Sequence, residues 1–443
     1  MDKRDISHPY TDNQSKMDKR FFNIFNLTED EAIALLKTPP EQLEDKTDRY
    51  IAASHLINFP TERAIDALIE AVRVRDRDLY NRITRRKAIE SLGRLKATVA
   101  IPVIRACLAD EDCYTVENAV WAIGEIGTDD EAILEEIAQL LDKPEQSYRV
   151  IIQTLAKFNY RNALDRIQKF VDSDNEPIAS AAIAAVARFS GDYSQIGKVV
   201  GFLQHESVNA RRACIQDLID AQYYDAIPEI AKCPVSVIFR LRGIRLLADT
   251  GTSAGKISFQ EIEPHLDRAI RDRPDELNLV HEYDQPPSLA FLVNELYQTD
   301  FGRCYLASKT LLEIYPDEAP EALMATYAEQ AHNDYGAHYH VIKLLGWLKY
   351  APAFDLLVEA LQNPRPQFQK SRAAAAIALA NLGDERAIPL LKASLNTNIW
   401  DLKYACLLAL KQFGDDSGKE IAARDPDWLV RAKAMAELLD NST

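Results

Sequence analysis

Charged and aromatic side chains recur at one position of a repeated segment, and their types could bind an acidic ligand and move a proton. The position lies nine residues before each of a series of apolar anchor residues, and it holds Tyr50, Arg86, Glu117, Arg149, Ser180, Arg212, Tyr339, Ala373 and Tyr404. Arginine guanidinium groups bind carboxylates through paired hydrogen bonds. Glu117 could pair with the arginines of the adjacent repeats, or it could serve as an acid in a cationic frame. Both interpretations stay open.

The neighbours of this position add cationic and aromatic groups. Trp121 follows Glu117 by four residues, so a helix would place both on one face. Tyr114 could also reach the groove that the second helices of such repeats line. A basic cluster precedes them and consists of Arg73, Arg75, Arg77, Arg82, Arg85, Arg86 and Lys87, diluted by Asp76 and Asp78. The cluster is either a solvated helix face with ion pairs or a site for an acidic group. Trp121 is either a core residue or a surface for ring stacking.

A second polar and aromatic cluster lies later in the chain and contains Tyr335, His338, Tyr339, His340 and Trp347. His338 and His340 would lie on different faces of a helix, a spacing that fits no helical metal site. We therefore expect no metal ion. Cys113 is a possible reactive thiol, although cysteine is among the most often buried residue types.

Helix pairs must position these residues. In residues 110–127, Ala119, Ala122, Ile123 and Ile126 share one helix face, and Asp110 to Asp112 provide the negative charge that suits a helix N-terminus. The anchors Phe59, Leu95, Ile126, Phe158, Phe189 and Ala221 are separated by 36, 31, 32, 31 and 32 residues. A period of this length indicates a solenoid of helix pairs. The sequence predicts an all-α, HEAT-like α-solenoid, a right-handed superhelix with an irregular helical insertion in its second half.

The pattern also predicts boundaries within the chain. Residues 1–16 are expected to be a disordered tail, residues 17–250 to form N-terminal repeats, and residues 346–443 to form C-terminal repeats with a capping helix over 427–439. Thr28 and Glu31 form a capping box. Turns are predicted at 250–253 and 284–287, inside or at the edge of an irregular helical segment over 251–345. That segment is rich in tyrosine and phenylalanine, so it is either part of a binding face or a set of degenerate repeats with a wider core.

Composition excludes several classes of function. The net charge of −16 argues against a protein that binds the phosphate backbone of nucleic acids. Six cysteines without CxxC pairs favour a reduced, cytoplasmic setting, and no run of 18 apolar residues predicts a membrane span. The sequence contains no GxGxxG after a strand, no P-loop, no GxSxG and no HExxH. We therefore expect no bound cofactor.

Four longer sequence segments resemble those of a known protein family. MDKRFFNIFNLTEDEAIALL (17–36), DRYIAASHLINFPTERAIDALI (48–69), RRKAIESLGRLKATVAIPVIRACLADEDCYTVENAVWAIGEIGT (85–128) and SRAAAAIALANLGDERAIPLL (371–391) resemble the HEAT-repeat phycobilin lyases of cyanobacteria. The resemblance implies an enzyme that attaches phycoerythrobilin, an open-chain tetrapyrrole, to a cysteine of a phycobiliprotein, here the phycoerythrin α subunit of the phycobilisome. Two alternatives are a lyase-isomerase that yields attached phycourobilin, and a non-catalytic adaptor or chaperone. A second lyase-like subunit is a further expected partner.

Bilin chemistry gives the repeated position possible roles. The two propionates of a bilin favour arginine, so Arg82, Arg85, Arg86 and Arg149 are candidates to hold them. Glu117 could meet the pyrrole nitrogens or serve as the acid. Tyr114 and Trp121 could stack on the rings. The nucleophilic thiol belongs to the client protein, so no cysteine of this chain needs to be catalytic.

Overall fold

The computed structural model describes residues 27–75 and 77–440, with side chains up to residue 436. The expected tail over 1–16, the apolar residues 21–25 and Asp76 lie outside these ranges. Throughout the described residues, the chain forms α-helices and short 3-10 helices and no strand, which confirms the all-α prediction. None of the described helices combines the length and apolar character needed to cross a membrane.

The chain divides into two compact units, residues 1–191 and 192–443. The boundaries inferred from the sequence at residues 250 and 345 stay predictions. In unit 1 the described α-helices are α1 (Glu29–Lys37), α2 (Asp48–His55), α3 (Glu62–Arg73), α4 (Leu79–Arg94), α5 (Ile101–Arg105), α6 (Cys113–Ile126), α7 (Glu131–Gln139), α8 (Tyr148–Lys157), α9 (Leu164–Gln168) and α10 (Glu176–Ser190).

Unit 2 continues the pattern of helix pairs. Its α-helices are α11 (Ile196–Gly201), α12 (Val208–Asp220), α13 (Ile227–Lys232), α14 (Val237–Ser253), α15 (Phe259–Arg271), α16 (Leu289–Glu295), α17 (Phe301–Ile314), α18 (Ala319–Glu329), α19 (Ala337–Trp347), α20 (Phe354–Gln362), α21 (Gln369–Leu382), α22 (Ile388–Ser394), α23 (Trp400–Gln412), α24 (Ser417–Ala422) and α25 (Trp428–Asp440).

Local sequence signals fix many of the helix ends. Thr28 and Glu31 form the predicted capping box at the start of α1. The Asp112 side chain accepts a hydrogen bond from the Thr115 amide and caps α6. Helix α6 ends at Ile126 and is followed by Gly127, whose φ of +90° disfavours residues with a Cβ atom. Helix α6 therefore begins and ends where the repeated pattern places it.

The second helices of the pairs in unit 1 stack on one another. Helix α4 packs against α2 and α6, and α8 packs against α6 and α10. The contact between α4 and α6 is close because Gly93 has no side chain. A Cβ atom there would lie 2.9 Å from both Trp121 Cζ3 and Ala122 Cα. This stacking places Arg86, Glu117 and Arg149 on three neighbouring helices.

The segment 251–345 is mostly helical, with a non-helical stretch over 277–288 that includes a bend at 284–285, but the predicted turn at 250–253 is wrong. Helix α14 runs through Ser253. The hydroxyl groups of Thr250, Thr252 and Ser253 donate to backbone carbonyls four residues earlier, at distances of 2.9, 2.7 and 2.7 Å. The hydroxyl groups of these side chains therefore form their hydrogen bonds within the helix itself. The chain turns only after them, at Gly255 with a φ of +63°.

Candidate functional site

Asp112 organises the charged residues on the second helices of unit 1. Arg86 donates to both oxygens of its carboxylate, from Nε at 2.8 Å and from Nη2 at 2.7 Å, and Arg82 Nη2 donates at 2.9 Å. Burial disfavours the charged form of Asp112, but hydrogen bonds from Thr115, Arg86 and Arg82 outweigh it and lower its pKa to about 2. Asp112 therefore holds two of the predicted arginines as a permanent anion near neutral pH.

Arg85 differs from its two neighbours because its side chain turns into the protein. It is 5% exposed, and Nε donates to the Val72 carbonyl at 2.9 Å. Its terminal nitrogens donate to Asp110 Oδ2 at 2.6 Å and to Cys107 Sγ at 3.2 Å. All three nitrogens thus have partners within the protein. We assign Arg85 to the structure of the repeat and give it no direct contact with a ligand.

Tyr114 is the exposed aromatic side chain of this group. It is 58% exposed, and the Arg86 guanidinium carbon lies 4.8 Å from its ring centroid. Trp121 is partly buried, and its ring packs in the space above Gly93. The Arg94 guanidinium lies 6.0 Å from the Trp121 ring. Tyr114 offers an open ring face, while much of Trp121 is used in the contact between α4 and α6.

Glu117 lies one helical turn beyond Tyr114 and has a specific partner. Ser147 Oγ donates to Glu117 Oε2 at 2.7 Å. The hydrogen bonds of Arg86 go to Asp112 instead, and Arg149 Nη1 donates to the Pro177 carbonyl. Glu117 is therefore not held by ion pairs with Arg86 and Arg149, the first interpretation that its sequence position allowed. Ser147, which the sequence pattern did not single out, orients this carboxylate.

An open pocket of about 600 Å³ adjoins the arginines. Its lining is mostly charged and consists of Arg75, Arg77, Arg82, Arg85, Ala109, Asp110, Glu111, Asp112 and Thr115. Arg77 is 96% exposed and lies 3.8 Å from the similarly exposed Glu111, so water screens that pair. The structure brings Arg82, Arg85, Arg86 and Tyr114 together around Asp110 and Asp112. Of the predicted site residues, Arg82 and Arg85 line the pocket, whereas Arg86 and Tyr114 lie outside its lining. Glu117, Trp121 and Arg149 also lie outside it and follow along the same stack of helices.

The second predicted cluster, in unit 2, is mainly a buried polar core. Tyr339 and Tyr305 both donate to Asp272 Oδ2, and Arg240 donates to Asp272 Oδ1. His338 and His340 are fully buried, and burial lowers their pKa values to about 4 and about 3. This arrangement favours the interpretation of degenerate repeats with a wider core. Tyr335 alone among the cluster's tyrosines is well exposed, at 45%.

Comparison with known proteins gives a consistent result. A profile described as HEAT repeats matches residues 79–149, 320–411 and 366–439. A profile described as PBS lyase HEAT-like repeat matches residues 48–73. These matches fall in both units and leave residues 150–319 unmatched.

Two relatives extend the comparison to nearly the whole chain, and a third matches about half of it. Phycocyanin operon protein Y of Pseudanabaena tenuis is 60% identical over 94% of this chain and 99% of its own length. The bilin biosynthesis protein CpeY of a Synechococcus species is 35% identical over 91% of this chain and 100% of its own length. The phycocyanobilin lyase subunit alpha of Synechococcus elongatus is 31% identical over 51% of this chain and 86% of its own length.

Proposed function

Because this chain belongs to the HEAT-repeat family of bilin lyases and bilin biosynthesis proteins, we propose that it attaches phycoerythrobilin to a cysteine of the phycoerythrin α subunit. The observation that carries the proposal in the molecule is the group formed by Arg82, Arg86 and Tyr114 around Asp112, beside Glu117. It combines guanidinium groups, an exposed ring and a carboxylate on adjacent turns. A bilin carries propionates, flat conjugated rings and pyrrole N–H groups.

The proposed roles follow from these contacts. Arg82 is 39% exposed and Arg86 is 20% exposed, and Asp112 fixes both in place. Their outer N–H groups can donate to propionate oxygens as charge-assisted hydrogen bonds. Tyr114 would stack on a pyrrole ring. Arg149 and Trp121, further along the same stack, would contact the opposite end of the pigment.

Glu117 is the proposed acid–base group. In the reaction, the client thiolate sulfur forms a bond to the exocyclic carbon of ring A, the π bond of that alkene breaks, and the thiol proton ends on the bilin. No oxidant or reductant is needed. A carboxylate that pairs with the pyrrole N–H groups favours the protonated, more electrophilic bilin. Ser147 keeps Glu117 in one orientation, which limits the reorganisation needed during the reaction.

A second subunit is part of the proposal. The relative from Synechococcus elongatus is named as one subunit of a lyase, and this chain matches most of its length. We propose that the present chain likewise acts with a lyase-like partner. Product absorbance separates simple attachment from attachment with isomerisation to phycourobilin.

The test is co-expression of the full chain with apo-phycoerythrin α subunit and the enzymes that make phycoerythrobilin, with and without a lyase-like partner. We expect covalent adduct with the absorbance of attached phycoerythrobilin on one client cysteine. Glu117→Gln should reduce attachment about 10²- to 10⁴-fold, with a much smaller loss of bilin binding and an unchanged helical circular dichroism. Glu125→Gln, on the same helix, is the matched control. Unchanged attachment in Glu117→Gln would remove this residue from the mechanism. Bilin binding without faster attachment would favour the chaperone function.

A further inference from the structure

A pocket in unit 2, outside the proposed bilin site, contains buried polar groups that lack partners. Its volume is about 500 Å³. One face of α14 and the N-terminal turns of α21 and α23 line it, together with Tyr335. The lining residues are Ile238, Leu241, Arg242, Arg245, Leu246, Tyr335, Pro366, Gln367, Gln369, Lys370, Trp400 and Asp401. The lining thus combines aromatic and aliphatic surface with a few charged groups, as small-molecule sites commonly do.

Lys370 is the first of the unsatisfied groups. It is 2% exposed, and among the described residues its ammonium nitrogen has no hydrogen-bond partner. Three aromatic rings surround the nitrogen, with centroids at 3.4 Å for Tyr335, 4.3 Å for Phe301 and 5.1 Å for Tyr339. Ring faces attract the positive charge, but they leave its N–H donors without strong acceptors. A buried ammonium in this state is costly unless an acceptor reaches it.

Asp401 is the second unsatisfied group, and it lacks a hydrogen-bond donor where Lys370 lacks an acceptor. It is 9% exposed, and its Oδ1 has no donor within the described part of the chain. Burial raises the pKa of Asp401, and hydrogen bonds to the carboxylate from the backbone at Asp401 and Leu402 and from the Gln369 side chain act in the opposite direction; the unpartnered atom is Oδ1 alone. Trp400 lies next to it in the lining, and the Arg245 guanidinium lies 4.9 Å from the Trp400 ring. The pocket therefore offers a donor without an acceptor, an acceptor without a donor, and flat aromatic surfaces.

We propose that this pocket binds a small planar heterocycle that carries a carboxylate and a ring N–H group. The carboxylate accepts from Lys370, the ring N–H donates to Asp401 Oδ1, and the heterocycle lies against Trp400 and Tyr335. The half-exposed Tyr335 ring covers the Lys370 nitrogen, so this ring rotates aside when the carboxylate enters. The site lies in unit 2 and does not depend on the bilin chemistry proposed for unit 1.

Protonation supports the assignment. Burial lowers the pKa of Lys370 to about 7, although Cys304, Asp272 and Asp334 act in the opposite direction. His338 and His340, which also face Lys370, are neutral near pH 7. A bound carboxylate raises the pKa of Lys370 again. Binding at pH 8 therefore takes up close to one proton, and binding at pH 6 takes up almost none.

The experiment is calorimetric titration of the full chain with indole-3-acetate, which has both groups. Indole-3-acetamide lacks the charge, and 1-naphthaleneacetate lacks the N–H. We expect each analogue to bind about tenfold more weakly, as the loss of one hydrogen bond implies. Titration of indole-3-acetate at pH 8 in buffers of different ionisation enthalpy should show proton uptake.

Two variants complete the test. Lys370→Met should abolish the preference for the carboxylate over the amide, and Lys256→Met, at an exposed lysine of the same unit, should leave it unchanged. Methionine at 370 is expected to fold because the Lys370 ammonium has no hydrogen-bond partner among the described residues that the substitution would strand, and burying a thioether avoids the cost of burying a charge. Absence of saturable binding at millimolar concentration overturns the proposal, as does equal affinity for the three probes. If Lys370→Met does not fold, the probe series and the proton uptake still decide the question on the natural chain.

Discussion

Replacing Asp112 by asparagine isolates the charge that holds the proposed bilin-binding arginines. Asparagine keeps the shape and can still cap α6, so the change removes mainly the negative charge. The pKa of Asp112 is about 2, against an ordinary value of 3.8. Each pKa unit corresponds to about 1.4 kcal/mol, so the network stabilises unit 1 by at most about 2.4 kcal/mol. Water around the partly exposed Arg82 screens the charges, and we expect about 1–2 kcal/mol.

The sign of the pH dependence follows from the lowered pKa. The stabilisation is fully present above the ordinary pKa of about 4 and is lost as the pH falls towards 2. The difference between the natural chain and Asp112→Asn should thus be constant from pH 7 to pH 5 and shrink below pH 4. Hydrogen exchange of the amides in α6, followed by mass spectrometry, measures local opening in unit 1 without requiring the whole chain to unfold in one step.

Asp129→Asn is the matched control because Asp129 is exposed and also precedes a helix, α7. We expect little change in exchange for this variant. Equal effects of the two substitutions on α6, or a difference between the natural chain and Asp112→Asn that grows below pH 4, would refute the assignment of Asp112 as the anion that orders Arg82 and Arg86.

Two further predictions concern the same helices. Arg85→Met should destabilise unit 1 by about 3–5 kcal/mol because it leaves buried partners without their cation. Arg82→Met should destabilise it by less than about 1 kcal/mol yet weaken bilin binding about tenfold. Chemical denaturation should therefore show the larger effect for Arg85→Met, and bilin titration the larger effect for Arg82→Met. Ser147→Ala removes the donor to Glu117 and should slow bilin attachment about tenfold without changing bilin affinity. Single-turnover kinetics measure this rate, and Ser147→Thr should restore much of it. A change in bilin affinity alone would assign Ser147 to binding.

Local signals in the sequence predicted the helices because they depend on neighbouring residues. The capping box of Thr28 and Glu31 and the acidic start of α6 needed only a few adjacent side chains. The turn expected near Thr250 failed because threonine and serine hydroxyls can bond within their own helix. The same composition therefore fits two backbone conformations, and packing decides between them.

The candidate site could be predicted only in part. Position within the repeat placed Arg86, Glu117 and Arg149 on neighbouring helices. The angular position around α4 decides that the Arg85 side chain is buried while those of Arg82 and Arg86 stay partly exposed. In the sequence, the density of basic residues obscures which of these arginines faces the protein interior. The sequence pattern missed the partner of Glu117 because Ser147 lies 30 residues later, before another helix. A spacing of one repeat between two polar residues is a signal that could have found it.

The contacts of Asp272 have a consequence for how unit 2 opens. This carboxylate follows α15, and residues of α14, α17 and α19 converge on it. Ordinary solenoids can lose one repeat at a time because each repeat touches only its neighbours. Here a single interior anion ties distant turns of the chain together, so these helices are expected to unravel as one cooperative block.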